Sequence, residues 1–201
     1  MEWRGRDWVK RNMENPGEHL VGQYLRNVKN CDFVEYNLQT VSPQGEIDVV
    51  GIDSTKKQIY ICEVATHLET GMQYTKRIGN QVSPDNVERF KSKFSKNIEY
   101  AKQNFRGYKC HFMLWSPIIR IPKKEEPKNN QEKDLLDIQK CLRDKFGVTL
   151  KLVYNQEYSD CIDELREVAK NTTQEMSSPI MRFLQIEEKL KIHCGKINVN
   201  K

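Results

Sequence analysis

The sequence predicts an α/β fold: a mixed sheet flanked by helices, in the order α-βββ-α-β, with further helices at the C-terminal end. Three observations carry that prediction. Apolar residues recur at helical spacing in two segments, 17–28 and 85–105. Three consecutive segments between 33 and 65 switch to strand-type patterning, separated only by short turns. Beyond residue 108, strand-type and helix-type segments alternate, which is the signature of αβ units beside a meander.

Trp3 to Met13 is amphipathic but uncapped, and Asn15-Pro16-Gly17 breaks it. Leu20, Val21, Tyr24, Leu25 and Val28 then share one helical face. Phe33–Leu38 reads as a first strand, Glu46–Ile52 as a second and Gln58–Ala65 as a third, with turns at Ser42–Gly45 and Asp53–Lys57. A polar loop containing Gly71, Gly79 and Pro84 precedes the longest helix, whose stripe is Val87, Phe90, Phe94, Ile98, Ala101 and Phe105. Tyr108–Trp115 is a strand closed by Ser116-Pro117. Residues 121–133 are almost wholly polar and predict an exposed loop. Asp134–Phe146 is helical, Val148–Tyr154 is a strand of buried type, and Ser159–Lys170 and Pro179–Ile192 are closing helices. The expected organisation is one domain over 1–170, with its motif core at 17–115, and a helical extension over 171–201.

The chain has 201 residues, enough for one real core without disulfides or structural metals. No window approaches the roughly 18 consecutive apolar residues of a membrane span. The opening Met1–Asp7 has no apolar core after its charges, so it does not read as a secretory signal. The expectation is a soluble, cytoplasmic protein with no membrane partner. Six cysteines, at 31, 62, 110, 141, 161 and 194, form no CxxC pair and are read as reduced thiols.

The net charge of +5 is mild, but it is unevenly placed. Between Gln73 and Lys109, nine bases (Lys76, Arg77, Arg89, Lys91, Lys93, Lys96, Lys102, Arg106 and Lys109) face three acids (Asp85, Glu88 and Glu99). That segment alone exceeds the surplus of the whole chain. Such a local excess suits a polyanion partner, and a solvated helix face is the plainer alternative.

Strand alternation places Glu46, Asp48 and Val50 on one face of the second strand and Ile47 and Val49 on the other. On the third strand, Ile59, Ile61, Glu63 and Ala65 share a face. If the two strands pair across Asp53–Lys57, Asp48 and Glu63 come within reach of each other among apolar neighbours, where an uncompensated carboxylate is costly. Two converging carboxylates make a hard-oxygen site suited to Mg²⁺ or Mn²⁺. The alternative is that both acids sit at strand ends or pair with Lys and Arg.

The helix bearing Gly17-Glu18-His19-Leu20, then Gly45-Glu46-Ile47-Asp48-Val49-Val50, then Ile61-Cys62-Glu63-Val64-Ala65-Thr66, resembles the PD-(D/E)xK nuclease superfamily. The likeness is to restriction-endonuclease-like and Holliday-junction-resolvase-like cores, and it covers about residues 17–115. It implies a metal-dependent endonuclease hydrolysing phosphodiester bonds, with DNA as partner and Mg²⁺ or Mn²⁺ as cofactor. Asp48 would be the metal-binding aspartate and Glu63 the second acidic ligand. The backbone carbonyl of Val64 would complete the set, and Glu18 would be an additional acid. Glu46 would be a further ligand or frame the site.

The chain departs from that pattern at Ala65, where the family carries a lysine that positions the attacking water and offsets phosphate charge. Some branches move this lysine to the following helix. At about 100° per residue, Lys91 lies nearer the centre of the apolar stripe than Lys93, Lys96 or Arg89. Lys91 is therefore the expected relocated lysine, with His67 and Lys76 as weaker alternatives and a snorkelling side chain as the plain reading. Arg89, Lys93 and Lys96, on the face away from the stripe, are expected to contact phosphates together with Lys76 and Arg77. The rival to an enzyme is a module that keeps the nuclease fold for nucleic-acid binding or protein interaction and has lost its chemistry through Ala65. The stripe Ile180, Phe183, Leu184 and Leu190 would pack on the core or on a second copy, so a homodimer is one expected assembly. The four histidines form no HxH or HExxH pair, and there is no GxxxxGK[ST] or GxGxxG loop, so zinc hydrolase and nucleotide-driven chemistries have no motif.

Overall fold

A computed structural model of the chain describes residues 15–78, 81–121 and 130–199, with the side chains of 75–78, 81–84 and 197–199 excepted. The expected amphipathic segment at 3–13 lies outside the described residues, as does most of the expected loop at 121–133.

The first helix, α1 (Pro16–Asn27), starts on an Asn15 N-cap whose side chain accepts the Gly17 N–H at 3.0 Å. Then come β1 (Phe33–Val41), β2 (Gln44–Asp53) and β3 (Gln58–Val64), an antiparallel meander. The longest amphipathic helix in this half, α2 (Asn86–Asn104), is followed by β6 (Lys109–Ser116), which lies parallel to β3. Between β3 and α2 runs a two-stranded antiparallel ribbon, β4 (Thr75–Ile78) and β5 (Gln81–Pro84), where a polar loop was expected. After β6 come α3 (Gln131–Phe146), β7 (Leu150–Tyr154), α4 (Asn155–Asn171) and α5 (Pro179–Val199). The main sheet has five strands in the order β1-β2-β3-β6-β7, antiparallel on one side and parallel on the other. The chain is thus α/β with a mixed sheet flanked by helices. Among the described residues no helix is long and apolar enough to cross a membrane.

Two apolar cores sandwich the sheet. Phe90, Phe94 and Ile98 of α2 and Leu135, Ile138 and Leu142 of α3 cover one face through Ile47, Val50, Ile61 and Leu114. Val21 and Leu25 of α1, Leu165 of α4 and Met181 and Leu184 of α5 cover the other through Val49, Cys62, Met113 and Trp115. The C-terminal helix therefore packs in cis, with Met181 and Leu184 buried while Phe183 and Leu190 stay exposed. All six cysteines are free, and Cys31, Cys62 and Cys161 are buried.

Helix α3 begins at Gln131, inside the stretch expected to be loop. Its Asn130 N-cap accepts the Lys133 N–H at 3.0 Å. Gln131 is buried: its Oε1 accepts from the backbone N–H of Met72 and of Arg120 (3.1 and 3.0 Å), and its Nε2 donates to Thr70 O at 2.9 Å. An isolated polar run gives no hint of this clamp, because each partner comes from a distant segment.

The alternation expected on β2 fails at one point. Ile47 packs in the same core as Val50, and Val49 packs in the opposite one. On the paired strand Leu38 and Tyr36 divide in the same way. Between them Asn37 sits at φ 53°, a left-handed conformation that Asn tolerates better than other side-chain-bearing residues. The ladder pairs Tyr36 with Val49 and Leu38 with Ile47, skipping Asn37 and Asp48. One left-handed residue thus turns both strands over, and Asp48 lies at the turnover.

Candidate active site

The β2–β3 ladder ends at Val49–Cys62. The next residues in register are Asp48 and Glu63, so both acids lie where the two strands part. Glu63 is fully buried and Asp48 is 7% exposed. Asp48 Oδ2 accepts the Val64 N–H at 2.7 Å. The N–H and C=O of one strand residue leave the same strand edge, so the Val64 carbonyl faces the same gap.

The compensating cation is Lys93 of α2. Its Nζ lies 3.1 Å from Asp48 Oδ1 and also donates to Glu63 Oε2, bridging the pair. One helical turn further on, the buried Asn97 donates to Glu63 Oε1 at 2.7 Å. Both oxygens of a carboxylate buried among apolar side chains are thereby satisfied by a single helix.

Lys91, the expected relocated lysine, does not reach the acids. It pairs with Glu88 at 3.6 Å and lines a groove with Asp137 and Lys140 of α3. The cause lies in the helix face. Asn86 and Asn97 are buried with Phe90, Phe94, Ile98 and Ala101. Including these two amides moves the centre of the buried face by roughly 30° toward Lys93. Counting only apolar residues hides that shift, and it also hides Asn97 as a site residue.

Ala65 is buried in the α2-side core, and its N–H donates to Trp115 O at 2.8 Å. A lysine there would have to carry its ammonium out of an apolar cluster; Lys93 instead enters from the rim, with its side chain 31% exposed.

Glu18 faces the site as expected. It is 9% exposed, and its Oε1 accepts from Asn15 Nδ2 at 2.8 Å. Gly17 makes that placement possible. A Cβ at position 17 would lie 2.0 Å from Thr66 Cγ2, so only glycine lets the first turn of α1 press against the segment after β3. Burial and then the charge of Asp48 raise the Glu18 carboxyl above its ordinary value, while the side chains of Asn15 and Asn37 pull it back. Glu46 is exposed and accepts from Gln39, so it frames the site from outside.

Of the residues expected to contact phosphates, Arg89 lies with its guanidinium 4.5 Å from the centre of the Tyr74 ring. Lys96 is exposed and runs across the β1–β2 hairpin beside Gly45. Lys93 belongs instead to the acids. Lys76 and Arg77 lie on β4, and their side chains are outside the described residues. His67 sets its ring edge-on to Tyr74 at 5.2 Å and makes no contact with the acids among the described residues.

The electrostatics follow from burial. Burial first, and then the neighbouring Asp48, push Glu63 up to about 8, against the opposing pull of Lys93 and Asn97. Burial disfavours the Lys93 ammonium, but Glu63 and Asp48 outweigh it and raise its affinity for the proton. Burial thus works against the charged form of Glu63, and an additional cation beside the pair would work in its favour.

Every candidate donor (Asp48, Glu63, Glu18 and the Val64 carbonyl) is a hard oxygen. That set fits Mg²⁺ or Mn²⁺, which bind through one or two carboxylates and otherwise through water and phosphate oxygens. Among the described residues no three His, Cys, Asp or Glu side chains converge on one point, so a bound ion would be held chiefly by the Asp48–Glu63 pair. No protein-family model, curated protein or solved structure matches the chain.

Proposed function

We propose that this chain is a metal-dependent nuclease of the PD-(D/E)xK type, hydrolysing phosphodiester bonds in DNA. The observation that carries the reading is Lys93. Its ammonium bridges Asp48 and Glu63 from the helix after the third strand, supplying from α2 the charge that Ala65 cannot provide. The order α1, β1–β3, α2, β6 of the main sheet and its helices, with the β4–β5 ribbon inserted before α2, and the Asp48–Glu63 pair support this reading.

Asp48, Glu63 and the Val64 carbonyl would hold Mg²⁺ or Mn²⁺, with Glu18 acting through water. The ion would supply Lewis-acid polarisation of the phosphoryl oxygen and a water of lowered pKa. Lys93, entering beside the two acids, would position the attacking water and offset charge growing on the scissile phosphate. Asn97 holds Glu63 in place by its second oxygen. Arg89 and Lys96, exposed on the same helix, attract the phosphate backbone without reading bases, which gives salt-sensitive affinity.

The test is nicking of supercoiled plasmid by the purified chain with Mg²⁺ or Mn²⁺, beside Asp48→Ala, Lys93→Ala and an EDTA control. Metal-dependent nicking lost in both variants supports the reading. Salt-dependent DNA binding with no turnover by the parent chain would make it a nuclease-fold binding module instead.

A further inference from the structure

A second concave site lies at the other end of the sheet. Glu63 sits near the C-terminal end of β3, and Gln58, which begins β3, pairs with Lys109 at the start of β6. Five residues of strand separate the two levels, roughly 17 Å. There, on the side where α1 ends, a cavity of about 500 Å³ opens between β3, β6, β7 and the turn after α3.

Its lining is one-sided in charge. Lys29, Lys109, Lys151 and His111 all line it, and among the described residues no carboxylate does. Lys29 and Lys109 have no ion pair among the described residues. Lys151 reaches outward to Glu157 at 3.0 Å, with both side chains about half exposed. His111 stacks on Tyr60 with ring centres 4.9 Å apart and planes 16° from parallel. Its Nε2 is buried with no hydrogen-bond partner among the described residues. An orphaned imidazole nitrogen is uncommon in a folded protein. Burial, with Lys109 and Lys29 adding to it, lowers the His111 pKa, so the ring is a neutral donor or acceptor near these two ammonium groups.

Lys29 and Lys109 have no counter-ion among the described residues, and an anion in the cavity would join them, with Lys151 at its edge. Gly147, in the left-handed C-cap of α3 at φ 67°, leads into Val148 and Thr149, which close one side of the cavity. The enclosure suits a compact ligand, and its volume lies in the range of small-molecule sites. A strand-tracking nucleic-acid surface would instead be an open groove.

We propose that this cavity binds a small phosphorylated molecule, its phosphate dianion held by Lys29, Lys109 and Lys151 and its body laid against Tyr60 and His111. The site is independent of the carboxylate cluster, and its test does not depend on nuclease activity.

The test is calorimetric titration and thermal unfolding of the full chain at constant ionic strength, using inorganic phosphate, adenosine 5′-monophosphate, chloride and a short single-stranded DNA as probes. Phosphate or the monophosphate should raise Tm above the chloride control. The double variant Lys109→Gln/Lys151→Gln, folded by circular dichroism, should weaken that binding by about tenfold or more. Lys140→Gln/Lys145→Gln, which removes two cations from the groove on the opposite core side, should leave it unchanged. The His111 imidazole resonances should shift on adding phosphate. No stabilisation beyond chloride, unmoved His111 resonances, or equal losses in the two double variants would overturn the proposal. Binding of the DNA alone, lost in Lys109→Gln/Lys151→Gln, would also overturn it in favour of a nucleic-acid contact.

Discussion

Asn97 donates a 2.7 Å hydrogen bond to Glu63, one turn along α2 from the lysine that binds the same carboxylate. A fully buried glutamate is thus held by two side chains whose spacing is set by one rigid helix. The acid cannot change rotamer without breaking both contacts, and such preorganisation is what an electrostatic site needs.

Lys93 and Lys91 should separate cleanly in kinetics. Lys93→Ala removes the cation on Asp48 and Glu63 and should lower the single-turnover nicking rate by about 10²-fold or more. Lys91→Ala, whose parent side chain pairs with exposed Glu88, should stay close to the parent rate. Comparable losses in both variants would sink the assignment of Lys93.

Stability should fall as pH rises from acid to mildly alkaline. The Glu63 carboxyl moves from 4.5, its ordinary value, to about 8 in the fold, so the folded state holds a proton that the unfolded chain has lost over that window. Its contribution is full below about 4.5 and is lost as pH approaches about 8. Glu18 shifts in the same direction, and Lys93, raised above 10.5, titrates outside this window. Urea midpoints measured from pH 5 to pH 8 should decline by an amount on the order of 1 kcal/mol or more, and Glu63→Gln should flatten the slope. An unchanged slope in that variant would show that Glu63 does not carry the proton.

The left-handed backbone at Asn37 should be readable by substitution. Asn37→Gly keeps access to φ 53° and should fold with little loss, whereas Asn37→Val should destabilise by about 1–2 kcal/mol. Because Asn37 helps hold Glu18 and faces Asp48 across the ladder, the valine should also impair nicking. Denaturation curves for the two variants decide the point, and equal stabilities would remove Asn37 as the cause of the strand turnover.

A lysine placed at position 65 should not strengthen the site. Ala65 is 1% exposed within the α2-side core, so Ala65→Lys must bury or displace an ammonium there. A loss of roughly 2 kcal/mol or more is expected, with no rescue of Lys93→Ala in the combined variant. Recovery of nicking in that double variant would mean that the position remains open to the site.

The five strands of the main sheet, the helices and the pairing of Asp48 with Glu63 were legible in the sequence because each is written in local periodicity and in a short turn between neighbours. Glu18 was legible for the same reason, since one helical turn determines its flank. The choice of Lys93 over Lys91 was not legible, because it depends on Asn86 and Asn97 being inside the fold, and a buried amide cannot be told from a solvated one by its spacing. Asn37 was hidden in an ordinary strand pattern until its partner strand showed which residues share a core. Gln131 stood in a polar run whose three backbone partners are distant in the chain. The sequence by itself determined the order of the main-sheet strands and their helices, though not the β4–β5 ribbon, and which acids meet, since nearest-neighbour patterning suffices for these. The tertiary structure alone decided which cation compensates those acids, where the sheet turns over to present them, and that three separate lysines line one cavity. Each of these is a question of which faces are pressed together, and that is settled by packing between segments far apart in the chain.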